Sequence, residues 1–349
     1  MTMSPIVSAD APETPAAPGL HRRRTIGLIA LTGALAGAIA LSLWVGANPL
    51  PFAAVWEGLI HPSDSEASII VWTQRMPRTL LGILVGMALG LAGALIQAMT
   101  RNPLADPGIL GVNAGAGFAV TIGAGLFGLT GVSGYLWWAF IGAGIATVLV
   151  YLIGSVGRST SPVTMVLAGV ALSAVLNGVS TFLTLIDDDT FDSIRNWGVG
   201  TIARTSLDDT LTVLPFLLVG LVLALGLSGS LNAVALGDEL ATSLGTNVLR
   251  TRILGVIAVT LLAGGATALT GGIAFIGLMV PHIVRWFVGP DQRWIIATTA
   301  VAAPILLLIA DVVGRIIARP SEIEVGIVTA VIGAPVLIAL VRRKKASGL

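Results

Sequence analysis

Charge interrupts this chain only briefly, and between the interruptions apolar runs of roughly twenty residues recur ten times, at 25–45, 76–99, 108–128, 135–155, 162–186, 208–229, 249–269, 273–288, 294–313 and 325–342. A bilayer core about 30 Å thick is crossed by about 20 apolar residues of helix, and in lipid a backbone must satisfy its own hydrogen bonds. The expected fold is therefore all-α, a polytopic membrane protein of about ten transmembrane helices. Composition points the same way: 55% of the residues are hydrophobic and 11% charged, with a mean hydropathy of +0.94. Soluble domains carry about 25% charged residues. The run at 273–288 is short because Gly271-Gly272 and Gly289-Pro290 bracket it.

An even number of crossings puts both termini on one side, and the Lys/Arg bias says which, because cationic loops near helix ends stay cytoplasmic. With the N-terminus inside, Arg22, Arg23, Arg24, Arg101, Arg158, Arg250, Arg252, Arg285, Arg293, Arg342, Arg343, Lys344 and Lys345 fall in the cytoplasm. Only Arg75, Arg78, Arg195, Arg204, Arg315 and Arg319 fall outside, with acidic clusters such as Asp187-Asp188-Asp189. Residues 1–24 read as a disordered cytoplasmic tail, Pro- and Ala-rich and ending in His21-Arg22-Arg23-Arg24, and 25–345 as one transmembrane domain. The run Thr25 to Val45 is long for a signal-peptide core, and Asn48-Pro49 after it carries no cleavage pattern, so it is expected to be an uncleaved first helix.

Ala92-Gly93-Ala94 to Thr100, followed by Ile109-Leu110-Gly111-Val112, echoes Ala263-Gly264-Gly265 to Thr270 followed by Ile276-Gly277-Leu278-Met279. Parity orients the two copies oppositely, an inverted internal repeat of the kind that builds transporter pathways, with chance likeness of two Gly/Ala-rich stretches as the alternative. The 43 glycines lie largely inside the runs, and a spacing such as Gly82, Gly86, Gly90 lets helix backbones approach closely in lipid.

Much chemistry is missing. The only lysines, Lys344 and Lys345, lie in the C-terminal tail, so no phosphate-binding loop can be built and ATP hydrolysis would need a separate subunit. His21, His61 and His282 are far apart and there is no cysteine, so no metal site is indicated. A net charge of +1 speaks against nucleic acid. Within the runs Asp311 is the clearest ionisable residue; Arg315, four positions on, makes it half of an ion pair, with a proton relay as the sharper alternative. A secondary transporter would need coupling carboxylates that are nearly missing, and an intramembrane enzyme would need a catalytic constellation that is not found.

Between the sixth and seventh runs, residues 232–247 hold Leu236, Leu240 and Leu244 at i, i+4, i+8 beside Asp238 and Glu239, bracketed by Gly237 and Gly245. That is the pattern of an amphipathic helix. Arg75-Met-Pro-Arg78, Asn102-Pro-Leu-Ala-Asp-Pro-Gly108, Gly277-Leu-Met-Val-Pro-His282 and Ala310-Asp-Val-Val-Gly-Arg315 leading to Glu324-Val-Gly-Ile closely resemble the FecCD-type permeases of ABC importers for ferric siderophores, haem and cobalamin. The resemblance spans nearly everything after the tail.

It implies a bacterial cytoplasmic-membrane protein in which a second permease subunit, identical or not, completes the pathway. Two cytoplasmic ATPases would bind ATP and Mg, so no cofactor sits in this chain, and an external binding protein would deliver the cargo. A ferric siderophore is the expected cargo on the family's habits alone. Arg75, Arg78 and Arg315 would offer guanidinium groups to acidic residues of the binding protein; interfacial anchoring, or pairing of Arg315 with Asp311, is the plainer role. Glu322 and Glu324 could order Arg319 or Arg315. Leu236, Gly237, Asp238, Glu239, Leu240, Ala241, Leu244 and Gly245 would form the helix that couples to the ATPase. Asn102 and Leu104, with Ser159 and Thr160, would form a cytoplasmic gate, although such residues also cap helices and turns. Ser173, Asn177, Ser180 and Thr184 hint at a neutral polar lining of the pathway, with hydrogen bonding between helices equally open.

Overall fold

The computed structural model of the protein describes residues 19–154 and 162–344, so Ser159 and Thr160 lie outside the described residues. The helices are α1 (Gly19–Trp44), α2 (Phe52–Ile60), α3 (Glu66–Thr100), α4 (Val112–Phe127), α5 (Gly131–Gly154), α6 (Pro162–Ile186), α7 (Asp188–Gly198), α8 (Leu207–Ala235), α9 (Asp238–Ser243), α10 (Val248–Thr270), α11 (Ile276–Val288), α12 (Gln292–Ile317) and α13 (Val325–Lys344). No strand occurs among the described residues. Seven of the helices, α1, α3, α5, α6, α8, α10 and α12, are long and apolar enough to cross a membrane, and α4, α11 and α13 contain shorter apolar segments.

Helix ends follow local chemistry. Ser206, Asn247 and Asp291 each accept a backbone N–H of the first turn of α8, α10 and α12, within 2.9–3.0 Å. Asp187 does the same for Thr190 in α7, which turns the acidic cluster noted in the sequence into a capped surface helix with its carboxylates at the positive end. α3 stops where Arg101 adopts a left-handed conformation, and α4 stops at Gly128 in the same conformation. Two helices carry a π-turn, Val71–Arg75 in α3 and Thr260–Gly264 in α10.

Burial sorts the helices into a centre and a rim. The most apolar windows of α3 and α10 are 78% and 72% buried, those of α1 and α6 only 11%. The centre is held by absent side chains. A Cβ on Gly82, Gly86 or Gly90 of α3 would meet Leu308, the Pro304 backbone or Ala303 of α12 at 2.5–2.7 Å. This glycine stripe is a packing face.

Further along the same stripe of α3 a Cβ at Gly93 would lie 1.8 Å from the carbonyl oxygen of Gly277 in α11. Beside that crossing Gln97 donates to the carbonyls of Gly277 and Leu278, at 3.2 and 3.0 Å. Gly93→Ala must therefore push α11 away, and overpacking of a tight core costs about 1–3 kcal/mol. A lowered thermal unfolding midpoint in detergent is the expected result. Gly178→Ala, in α6 with nothing within 4 Å of the added atom, should leave the midpoint unchanged; equal midpoints for both variants would show that the crossing is not tight.

Candidate functional site

The charged residues gather at the two ends of the bundle, and each end is a separate site. At one end lie the last turn of α1, the third and fourth turns of α3 and the end of α12. A helix C-terminus leaves carbonyls without partners, and here arginines supply them. Arg75 Nη1 donates to the carbonyls of Leu43 and Trp44 at 2.9 and 2.6 Å, and its Nη2 to Asn48 at 2.8 Å. Arg315 Nη1 donates to the Ser42 and Val45 carbonyls, both at 2.8 Å, and Arg319 to Gly46 at 2.9 Å.

Asp311 is the hub of this end. Arg78 donates to its two oxygens from Nε at 3.1 and 3.2 Å and from Nη2 at 2.6 Å. Arg315 donates Nε at 2.8 Å and also Nη2 to the Asp311 Oδ2 that faces it, the pair expected from the i, i+4 spacing. Ser42 Oγ joins Arg315 at 3.0 Å and Thr79 at 2.8 Å.

This geometry corrects the picture of three outward guanidinium groups. Arg75 and Arg315 are 4% and 1% exposed, with their donors turned inward, because backbone carbonyls without partners lie there. Arg78 alone reaches the rim, where Nη1 meets Glu322 at 2.6 Å. Glu324 pairs with Arg204 at 3.3 Å, so neither glutamate orders Arg315 or Arg319.

At the opposite end α9 lies against α8 and α10. Gly237 and Gly245 flank it with φ of +112° and +81°, a region that favours glycine. Ala241 is fully buried while Leu236, Leu240 and Leu244 are 61%, 57% and 65% exposed. Leu236 and Leu244 lie just outside the helical turns, as its flanking residues. Asp238 is half-exposed, 2.9 Å from Arg252 and 3.6 Å from Arg101, and Glu239 is exposed. This end thus presents three exposed leucines beside the Glu239 carboxylate, with Asp238 paired to arginines. The sequence offered no sign of the two arginines that hold Asp238, since one is 14 residues away and the other on α3.

Asn102 and Leu104 follow α3 at this same end. Asn102 Oδ1 accepts the Leu104 N–H at 3.0 Å, a local turn. Next, Asp106 Oδ1 accepts from Gly108 N at 2.8 Å and starts the 3₁₀ turn Pro107–Leu110 that leads into α4. On α6, Asn177 is exposed and Ser173, Ser180 and Thr184 are half-buried. Thr184 Oγ1 donates to the Ser180 and Thr181 carbonyls of its own helix, at 3.0 and 2.9 Å. These polar residues share α6 with exposed Leu167, Val170, Val175 and Phe182, so α6 is largely uncovered within the subunit. Among the described residues no group of His, Asp and Glu is placed to hold a metal.

An apolar helical bundle, charged at both ends and with a small helix packed at one of them, defines a multi-pass membrane protein. Its relatives place it more narrowly. The FecCD transport family matches residues 34–343, and the chain belongs to that family. It is 49% identical over 326 residues to the ferric enterobactin transport system permease protein FepD of Escherichia coli (strain K12), covering 93% of this chain and 97% of FepD. To the Fe(3+)-citrate import system permease protein YfmD of Bacillus subtilis (strain 168) it is 40% identical over 311 residues, 87% of this chain and 91% of the other. A solved structure described as an inward-facing conformation of a metal-chelate type ABC transporter superposes with a TM-score of 0.79 at 28% identity, over 91% of this chain and 99% of that one.

Proposed function

We propose that this chain is the membrane-spanning subunit of an ATP-driven importer that carries a ferric siderophore, with ten crossings and both termini in the cytoplasm. The named cargoes of its iron-transporting relatives support the substrate class, and the Lys/Arg distribution supports the orientation. One observation carries the mechanism: α9 is flanked by glycines of positive φ, is tied to α10 through Asp238 and Arg252, and carries or adjoins three exposed leucines, on a chain without a phosphate-binding loop. Such an element suits transmission of an ATPase's closure to the helices, because force passes only through a rigid body docked on the moving partner.

The rest of the pathway follows the same reading. A second permease subunit covers the open face of α6 and places Ser173, Asn177, Ser180 and Thr184 along a shared channel of dispersed neutral contacts. Asn102 and Leu104, with Ser159 and Thr160, close its cytoplasmic end. The binding protein docks on the outer rim around Arg78 and Glu322, whose shape Arg75 and Arg315 set from beneath. Interlocked contacts are what an inverted repeat would give: Gln97 of the first copy meets the start of α11, and Thr267 of the second meets Asn113 at the start of α4, at 3.0 Å.

Reconstitution tests this. Vesicles holding the chain, its partner permease and the ATPase subunits, with binding protein outside, should take up ferric siderophore only when ATP is supplied on the ATPase side. Uptake by the purified chain alone, driven by a proton or sodium gradient, would falsify the reading.

A further inference from the structure

Where α1 crosses α11 and α12, the N-terminal half of α1 does not close against its neighbours. A cavity of about 280 Å³ remains, walled by Leu28 and Leu31 of α1, Ile283 and Phe287 of α11 and Ala302 of α12. Its mouth is cationic: Arg23 and Arg24 line it. Arg24 is fixed in place, its Nε donating to the Val288 carbonyl at 2.8 Å and its guanidinium lying 5.7 Å from the Trp294 ring centre. Its nearest carboxylate, Asp291, is 3.9 Å away. Arg23 is exposed and makes no hydrogen bond or ion pair among the described residues.

Deeper in, Thr298 lines the cavity, 4% exposed, and its Oγ1 has no hydrogen-bond partner. Buried hydroxyls are normally satisfied, and Thr298 sits in the cavity wall with its hydroxyl free to turn toward an acceptor placed there. Phe287 and Trp286 are 74% and 54% exposed on the same stretch of α11, as suits a surface facing lipid at the membrane boundary.

We infer that this cavity is a binding site for one anionic phospholipid, whose headgroup phosphate sits between Arg23 and Arg24, whose acyl chain fills the groove beneath, and whose ester carbonyl accepts from Thr298. Charge complementarity sets the class: the mouth has two arginines against one carboxylate, Asp291, which pairs with Arg24 and leaves Arg23 uncompensated among the described residues, and a zwitterionic headgroup would bring its own cation into that field. Depth sets the rest, since a soluble anion leaves the apolar groove and Thr298 unanswered. In the proposed orientation the lipid belongs to the cytoplasmic leaflet. It would fix α1, with α6 the least buried of the seven long apolar helices, against α11.

The test uses the purified full-length chain in detergent, titrated with phosphatidylglycerol or with phosphatidylcholine of the same acyl chains, and bound lipid counted by native mass spectrometry. Each cation near an anionic lipid contributes about five-fold in affinity. Phosphatidylglycerol should bind at least about five-fold more tightly, and Arg23→Gln should remove most of that preference. Gly27→Leu should weaken both lipids, because a Cβ at Gly27 meets nothing within 4 Å and a longer side chain enters the groove. Both changes lie on the open side of α1, so the fold should stand. Equal binding of the two lipids, or a preference unchanged by Arg23→Gln, would overturn the assignment. So would displacement of phosphatidylglycerol by inorganic phosphate with Gly27→Leu silent, since the site would then be for a free anion. None of these readouts involves transport.

Discussion

Asp311→Leu is expected to leave little folded protein that can be extracted from the membrane. Its carboxylate is the shared acceptor of two guanidinium groups, and Arg315 is only 1% exposed. Deleting it strands two cations in a low-dielectric interior, and removing one partner of a buried charged set typically costs about 3–5 kcal/mol. Natural proteins hold about 5–15 kcal/mol in all. The damage also spreads, because Arg315 supplies the carbonyls at the end of α1 and needs Asp311 to hold its orientation. Arg315→Leu should be milder, since Asp311 keeps Arg78. Size-exclusion profiles and thermal midpoints of detergent extracts measure both variants. A monodisperse Asp311→Leu protein melting with the wild type would refute this view of the cluster and reopen the proton-relay alternative.

The same cluster marks where sequence reasoning stops. Apolar runs were legible because lipid forces each crossing to satisfy its own backbone, so length and composition alone locate α1, α3, α5, α6, α8, α10 and α12. The stripe of Gly82, Gly86 and Gly90 was legible as a packing face, and the glycines around α9 as its limits. The inward turn of Arg75 and Arg315 was not, because their acceptors are backbone carbonyls of α1, and a carbonyl has no letter in the sequence. α2 and α7 escaped because they are surface helices of 9 and 11 residues, too short to cross lipid. The partners of Asp238 escaped because one of them is set by the tertiary fold. The signal that was present but unread is Gln97, a polar residue in an otherwise apolar run, which holds the crossing of α3 and α11.

Leu240→Glu is expected to abolish ATP-driven uptake while leaving the folded chain intact. Leu240 is 57% exposed, so the substitution should not disturb the packing of the subunit. In the proposed assembly the same leucine is buried in the ATPase, and truncation of such an anchor costs about 2 kcal/mol or more, roughly a thirty-fold loss of affinity. An unpaired carboxylate placed there costs more. Co-purification of the ATPase subunits with the tagged chain should fall in step with uptake, at an unchanged thermal midpoint. Asp238→Asn makes the contrast. Its carboxylate is bound by Arg252 and Arg101 within this chain, so that variant should lower the midpoint and uptake together by loosening α9. If Leu240→Glu kept full uptake, the exposed leucines would not be the ATPase contact, and energy would have to enter the bundle by another surface.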